Sequence, residues 1–249
     1  VVDRLLEATA RAERNHFWFR GFRRFVAPLL RDASRGRRDL RLLDCGCGTG
    51  ANLGLLEPYG ATWGFDLTWA GLRVAKSRGV TRVARASVAA VPFPSNTFDI
   101  VTSFDVLYCL DERVEREAVA EMWRVLKPGG SVIVNVAAMP ILKGNHSVLS
   151  DEVRRYTRAS LRALLERQGF GVDWISYTNA TIFPAMLAVR LAQRAAGFAP
   201  EAEATAEITI PPAPVNAVMA AALRFEAAVQ RLVPLPFGSS LLCRATKPA

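Results

Sequence analysis

One stretch, Leu42-Leu43-Asp44-Cys45-Gly46-Cys47-Gly48-Thr49-Gly50, constrains this chain more than any other. An apolar run ends in an acid, and glycine then takes every second position. The pattern reads as a β-strand delivering its last residues into a turn that carries few side chains. Backbone can then approach a ligand closely at the start of the next helix.

The flanking sequence supplies the rhythm that such a turn needs. Short apolar runs at Leu40–Cys45, Ala61–Asp66, Val80–Ala86, Phe98–Phe104, Ser131–Ala137, Phe170–Tyr177 and Ser240–Lys247 read as strands. Helical spacing fills 50–58, 68–79, 112–126 and 158–168 between them. Strand alternating with helix predicts a mostly parallel sheet with helices on both faces. Two regions break the rhythm. Residues 3–30 have helical spacing around an aromatic knot, His16-Phe17-Trp18-Phe19, and Arg31 to Arg41 forms a connector with five arginines. Between the sixth and seventh strands, 180–198 and 215–232 read as helices, and an acidic, then Pro-rich loop lies between them. This insertion is expected to pack over the functional edge of the sheet.

Composition narrows the class. With 249 residues, 51% of them hydrophobic and 22% charged, the chain supplies one large core and is not wholly disordered. The net charge is +9, and +6 of it falls in residues 1–41, where 11 Arg/Lys face 5 Asp/Glu. Such a basic end reads either as a solvated Arg-rich helix or as a surface for phosphate, nucleic acid or an anionic membrane. Cys45, Cys47, Cys109 and Cys243 lack the spacing of a disulfide framework or a zinc site, which points to a reduced, cytoplasmic setting without a metal. No stretch resembles a signal peptide, and no long uncharged apolar run suggests a membrane span.

The glycine turn alone leaves two cofactors open, because Gly46-x-Gly48-x-x-Ala51 also meets the relaxed dinucleotide fingerprint of NAD enzymes. Two acids favour the other cofactor. Asp44 precedes the first glycine, where a carboxylate would repel a pyrophosphate but accept from an amine. Asp66 ends the second strand, where it can take both hydroxyls of a ribose. A ligand with a ribose and an ammonium, but no phosphate, suits both.

Over roughly 38–177, plus the last strand, the chain resembles the class I S-adenosylmethionine (SAM)-dependent methyltransferases. The resemblance rests on Leu43 to Gly50, Gly64-Phe65-Asp66-Leu67, Val91 to Val101, Ser103-Phe104-Asp105-Val106-Leu107, and Arg124-Val125-Leu126-Lys127-Pro128-Gly129-Gly130. It implies a Rossmann-like α/β fold with a seven-stranded, mostly parallel sheet whose last strand is antiparallel. One domain would comprise an N-terminal helical lid (1–37), a SAM-binding core (38–177), a helical cap (178–236) and the final strand (237–249). Gly46, Cys47, Gly48 and Gly50 would lie under the methionine and ribose, with Asp44 at the amino group, Asp66 on the ribose and Leu67 on the adenine. Family members often place an acid at the Ser87 position, so here the Ser87 hydroxyl or the Val88 backbone would serve the adenine. Ser103 and Phe104 would stand beside the sulfonium.

The acceptor side is read from fewer signals. Methyl transfer needs alignment and, for some acceptors, a proton acceptor. His146, in the loop after the fifth strand, reads as that base or as an ordinary loop residue. His16 and Trp18 read as seating the first helix or as part of a lid, with Arg20 near the methionine carboxylate or an anionic acceptor; in the lid reading His16, like Tyr156, is a further catalytic candidate, and Trp18 and Tyr108 touch the acceptor. Arg154 and Arg155 read as a solvated helix entry or as an anion clamp with the Tyr156 phenol nearby. Tyr108 follows the fourth strand where a nucleobase methyltransferase would carry an Asn/Asp-Pro-Pro-aromatic box, and that box is absent. The expectation is methyl transfer from SAM, leaving S-adenosylhomocysteine, to a small, partly apolar acceptor that is lipid-like or bears phosphate or carboxylate. O- or C-methylation is favoured over N-methylation. The alternatives are a tRNA or rRNA methyltransferase using the Arg-rich N-terminus, for which no RNA-binding module is evident, and a non-catalytic SAM-binding protein. Peripheral membrane contact and a monomer or homodimer fit the same reading.

Overall fold

The computed structural model describes residues 2–143, 151–196 and 209–249. Seven strands form one sheet in the order β3-β2-β1-β4-β5-β7-β6. They are β1 (Leu40–Cys45), β2 (Gly60–Asp66), β3 (Val83–Arg85), β4 (Phe98–Phe104), β5 (Leu126–Ala137), β6 (Gly171–Thr178) and β7 (Ser240–Thr246). β7 runs antiparallel to both its neighbours, β5 and β6, and the other pairings are parallel. This is the Rossmann-like class I methyltransferase fold.

Alternation along the strands splits the core into two layers. Leu40 and Leu42 of β1, Ile100 and Phe104 of β4, Ile133 of β5 and Leu242 of β7 face one side. There they meet Phe25, Val26, Leu29 and Leu30 of α2 (Phe17–Ser34). Leu43, Cys45, Val101, Val132, Val134 and Val136 face the other side. Their partners are Ala118, Val119, Met122 and Val125 of α5 (Glu112–Val125) and Leu161 and Leu165 of α6 (Arg158–Arg167). α5 starts where the Asp111 side chain accepts from Val114 N at 2.9 Å, and it carries acids in its first turn and Arg124 in its last, matching the helix dipole. A Thr157–Ser160 capping box starts α6.

Several elements differ from expectation. The single N-terminal helix is two, α1 (Val2–Ala12) and α2, and the His16 side chain caps the second through Trp18 N. The helix expected at 50–58 shrinks to α3 (Leu53–Leu56) with a 3₁₀ turn at Glu57–Tyr59, because Pro58 and Gly60 end it. α4 (Trp69–Ser77) follows β2 as expected. β5 begins five residues early, since Leu126 already pairs with Phe98 and the turn glycines bond to Lys247. The insertion divides. α7 (Phe183–Ala196) lies by the 3₁₀ turn at Pro140–Leu142, on the carboxyl edge. α8 (Ala213–Gln230) lies along α2 on the face of the sheet, not over the edge. Asn216 fastens it there: its side chain accepts from Phe17 N at 2.8 Å and donates to Asn15 O at 2.9 Å. Where α2 and α8 cross, a Cβ at Gly21 would lie 2.5 Å from Leu223 Cδ1, so only glycine permits this approach.

Candidate active site

β1, β2 and β4 end side by side and place Asp44, Asp66 and Ser103-Phe104 around the glycine turn. Gly46, Gly48 and Gly50 have φ of 80°, 50° and 74°, in the left-handed region that glycine enters freely. Gly46 N and Cys47 N both donate to Phe65 O, which sews the turn to β2. Gly48 N donates to Asp66 Oδ2 at 2.8 Å. Gly71 of α4 comes so close that a Cβ there would lie 2.7 Å from Gly48 O. Cys47 fills the space against Gly64, and burial raises the thiols of Cys45 and Cys47 above the ordinary range. They are inert fillers.

Asp44 is 1% exposed. Thr102 Oγ1 donates to its Oδ1 at 2.6 Å, while its Oδ2 is buried without a partner. Burial, helped by the neighbouring Asp66 charge, raises the Asp44 carboxyl to about 7. Asp66 is half-buried and holds the turn on one side and Thr68 on the other, where Thr68 N and Oγ1 donate to Oδ1. Beyond it, Leu67 is 60% exposed. The Ser87 hydroxyl accepts from Ala89 N at 3.2 Å, and Val88 packs on the core. Ser103 Oγ is a second buried oxygen without a partner, and Phe104 meets Phe22 of α2 edge-on. These observations fit a SAM-like ligand: an open carboxylate oxygen for an ammonium, a second acid for hydroxyls, and an open platform for a ring.

Two residues here escaped the sequence reading. Glu13, buried in the break between α1 and α2, accepts from Thr49 Oγ1 at 2.7 Å and pairs with Arg78 just past α4. Arg78 also reaches Ala10 O, so α1 is latched across the glycine turn, with Leu6 beside Gly48. No motif in the Arg-rich N-terminus marks Glu13. Asp105 follows β4 with φ of 61° and accepts from Asn135 Nδ2 at 2.8 Å. The residue is exposed, and desolvation by the protein around its carboxyl, partly offset by the Asn135 hydrogen bond, raises it to about 6. Its one sequence signal was its place directly after Ser103-Phe104.

On the acceptor side most expected residues are already committed. Tyr156 is buried and donates to Glu115 of α5, which also receives Arg154 at 2.6 Å. Burial and the Glu115 carboxylate push the Tyr156 phenol far up. Arg155 binds both oxygens of Glu152 at 2.8 Å and donates to Ala138 O. The expected anion clamp is therefore an internal network that straps the segment after β5 to α5. Neither the clamp nor a solvated helix entry describes it. Tyr108 is buried, and its carbonyl receives Val153 N and Arg154 N. His16 is a helix cap rather than a base: its Nδ1 accepts from Trp18 N, it stacks on Phe17, and burial lowers its pKa. Trp18 packs on the α2 side of the core, and Arg20 lines the groove between α2 and α8. His146 lies outside the described residues. Among the described residues no group of three or more His, Cys, Asp or Glu is placed to hold a metal ion.

Residues 43–134 match the family model described as a methyltransferase domain (Methyltransf_11). A ubiquinone/menaquinone biosynthesis C-methyltransferase, UbiE, of Cupriavidus taiwanensis is 39% identical over 104 residues, which cover 38% of this chain and 42% of that protein. The chain thus spans less than half the length of that relative. Among solved structures, an S-adenosylmethionine-dependent methyltransferase from Mesorhizobium loti superposes with a TM-score of 0.55 at 18% identity, over 88% of this chain and 96% of that one. The [4+2]-cyclase SpnF superposes with a TM-score of 0.55 at 20% identity, over 90% and 81%. At such identities the likeness is one of fold.

Proposed function

We propose that the chain is a SAM-dependent methyltransferase acting on a small, partly apolar acceptor. The observation that carries this reading is the buried, unpartnered Asp44 Oδ2 beside the glycine turn. An orphaned carboxylate oxygen there costs free energy unless a cationic ligand group completes it.

When bound, SAM supplies a methyl group on a sulfonium, open to displacement by a nucleophile. Asp44 would accept from the ligand ammonium. Asp66 keeps one lone pair, on Oδ2, beyond those used by Gly48 and Thr68, and turning the Thr68 hydroxyl away would release a second on Oδ1; these would take the ribose hydroxyls. Leu67 would lie on the adenine, with the Ser87 hydroxyl or the Val88 backbone at its rim. Ser103 and Phe104 would border the methyl. Asp105 would receive a proton from the acceptor or orient it, with Asn135 holding its carboxylate. His146 is a second candidate for that role. O- or C-methylation remains favoured, and the name of the Cupriavidus relative supports C-methylation. An anionic acceptor loses support, since Arg154 and Arg155 are spent on Glu115 and Glu152. Cys45, Cys47 and Cys243 are free thiols, which fits a reducing compartment.

Calorimetry with S-adenosylhomocysteine tests the assignment. The wild type is expected to bind, and Asp66→Ala to lose about 3 kcal/mol, roughly a hundredfold, because two charge-assisted hydrogen bonds go. Unchanged affinity in Asp66→Ala overturns the ribose assignment.

A further inference from the structure

The outward face of α8 is unusual for a helix on a protein surface. Its inward residues, including Asn216, Leu223, Ala227 and Gln230, are buried. Its outward row is Pro214, Val218, Ala221, Phe225, Ala228 and, two residues past the helix end, Leu232. The intervals alternate between four and three residues, so the row forms a single stripe, and every member is exposed. Val218 is 70% exposed, Phe225 68%, Leu232 84% and the adjoining Val233 60%. Surface helices ordinarily turn charged and polar residues to this side. A contiguous apolar stripe marks a contact surface.

Arginines flank the stripe on one side. Arg224 of α8 and Arg20 and Arg24 of α2 line a groove of about 230 Å³ floored by Ala217, Ala220 and Ala221. Arg31 and Arg231 line a second groove nearer the C-terminal ends of both helices. The one carboxylate there, Asp32, faces Arg244. Arg20, Arg24 and Arg224 have no ion-pair partner among the described residues.

We propose that the α2–α8 face docks the protein on an anionic lipid surface, with Val218, Phe225 and Leu232 entering the acyl boundary and the arginines meeting headgroup phosphates. Charge decides between occupants. A second copy set against this face would bring two arginine sets together, which is repulsive, whereas anionic headgroups complement them. No helix among the described residues is long and apolar enough to cross a membrane, so α8 lies in the plane of the interface. The surface is independent of the proposed methyl transfer and stands or falls without it.

Vesicle co-sedimentation tests it with the whole chain. Wild type is expected to sediment with phosphatidylcholine vesicles containing phosphatidylglycerol, to remain in solution with phosphatidylcholine alone, and to be released by high salt. The triple variant Arg20→Glu/Arg24→Glu/Arg224→Glu and the double variant Val218→Asp/Phe225→Asp should each lower partitioning at least about fivefold. Their melting temperatures should match wild type, and Phe225→Gln replaces the double variant if that one melts early. The proposal is overturned if wild type ignores phosphatidylglycerol vesicles or if both sets of variants bind like wild type. It is also overturned if light scattering shows a dimer that Val218→Asp/Phe225→Asp dissociates, for the stripe is then an interface between copies.

Discussion

The glycine turn after β1 and the segment joining β5 to α6 share the carboxyl edge of the sheet, yet they treat polar atoms in opposite ways. Around the turn, Asp44 Oδ2 and Ser103 Oγ are buried with nothing to bond. Between β5 and α6, Arg154 and Tyr156 meet on Glu115, and Arg155 is held by Glu152. A buried polar atom left alone costs about 1–3 kcal/mol. The turn is therefore incomplete until something binds, while Glu115 and Glu152 already have their cationic partners. Reactive residue types gathered in a sequence do not mark a site. Unsatisfied oxygens gathered at the strand ends beside the glycine turn point to one.

Each prediction sets one region against the other. Arg155→Ala leaves Glu152 buried and unpaired, so it should cost about 3–5 kcal/mol of stability, read by thermal melting. A variant that melts like wild type but binds an acidic acceptor poorly would restore the clamp and break the comparison. Asp105→Asn should lower turnover roughly a hundredfold, as loss of a proton acceptor does. Wild-type turnover should rise with pH through about 6, where the Asp105 carboxyl ionises, and Asp105→Asn should lose that rise. If His146→Ala removes the rise instead, the base lies there. Asp44 supplies a pH test on the other side. Its carboxyl is raised to about 7, so it is neutral at lower pH and cannot hold an ammonium. Affinity for S-adenosylhomocysteine should climb roughly tenfold as pH rises through that value, and Asp44→Asn should flatten the curve. Without ligand the sign reverses for stability. The contribution from Asp44 is full below its unfolded value near 3.8 and is lost as pH rises through about 7. The smallest effect belongs to Glu13→Gln, which should cost about 1–2 kcal/mol and hasten proteolysis within α1 while leaving the strap intact.

Much of this architecture was legible because strands in an α/β sheet are apolar runs with abrupt ends. β1 and β4 match their expected limits residue for residue. The acids Asp44 and Asp66 were legible for a related reason, since a charged residue closing such a run is placed at the mouth of the sheet. What escaped depends on partners distant in sequence. β5 starts early because Phe98 and Lys247 pair with a segment that reads as a turn. Asp105 stands out only through its positive φ and Asn135. Arg154, Arg155 and Tyr156 looked available until Glu115 and Glu152 were seen beneath them.

The bend at Glu13–His16 has a consequence for how the molecule is assembled. Glu13 is held by Thr49 and Arg78, and the first turn of α2 is clasped by Asn216, some two hundred residues downstream. The bend therefore ties the glycine turn and α8 to one short stretch of backbone. The α2 apolar face, Phe25, Val26, Leu29 and Leu30, is held between the strands β1, β4 and β5 on one side and α8 on the other.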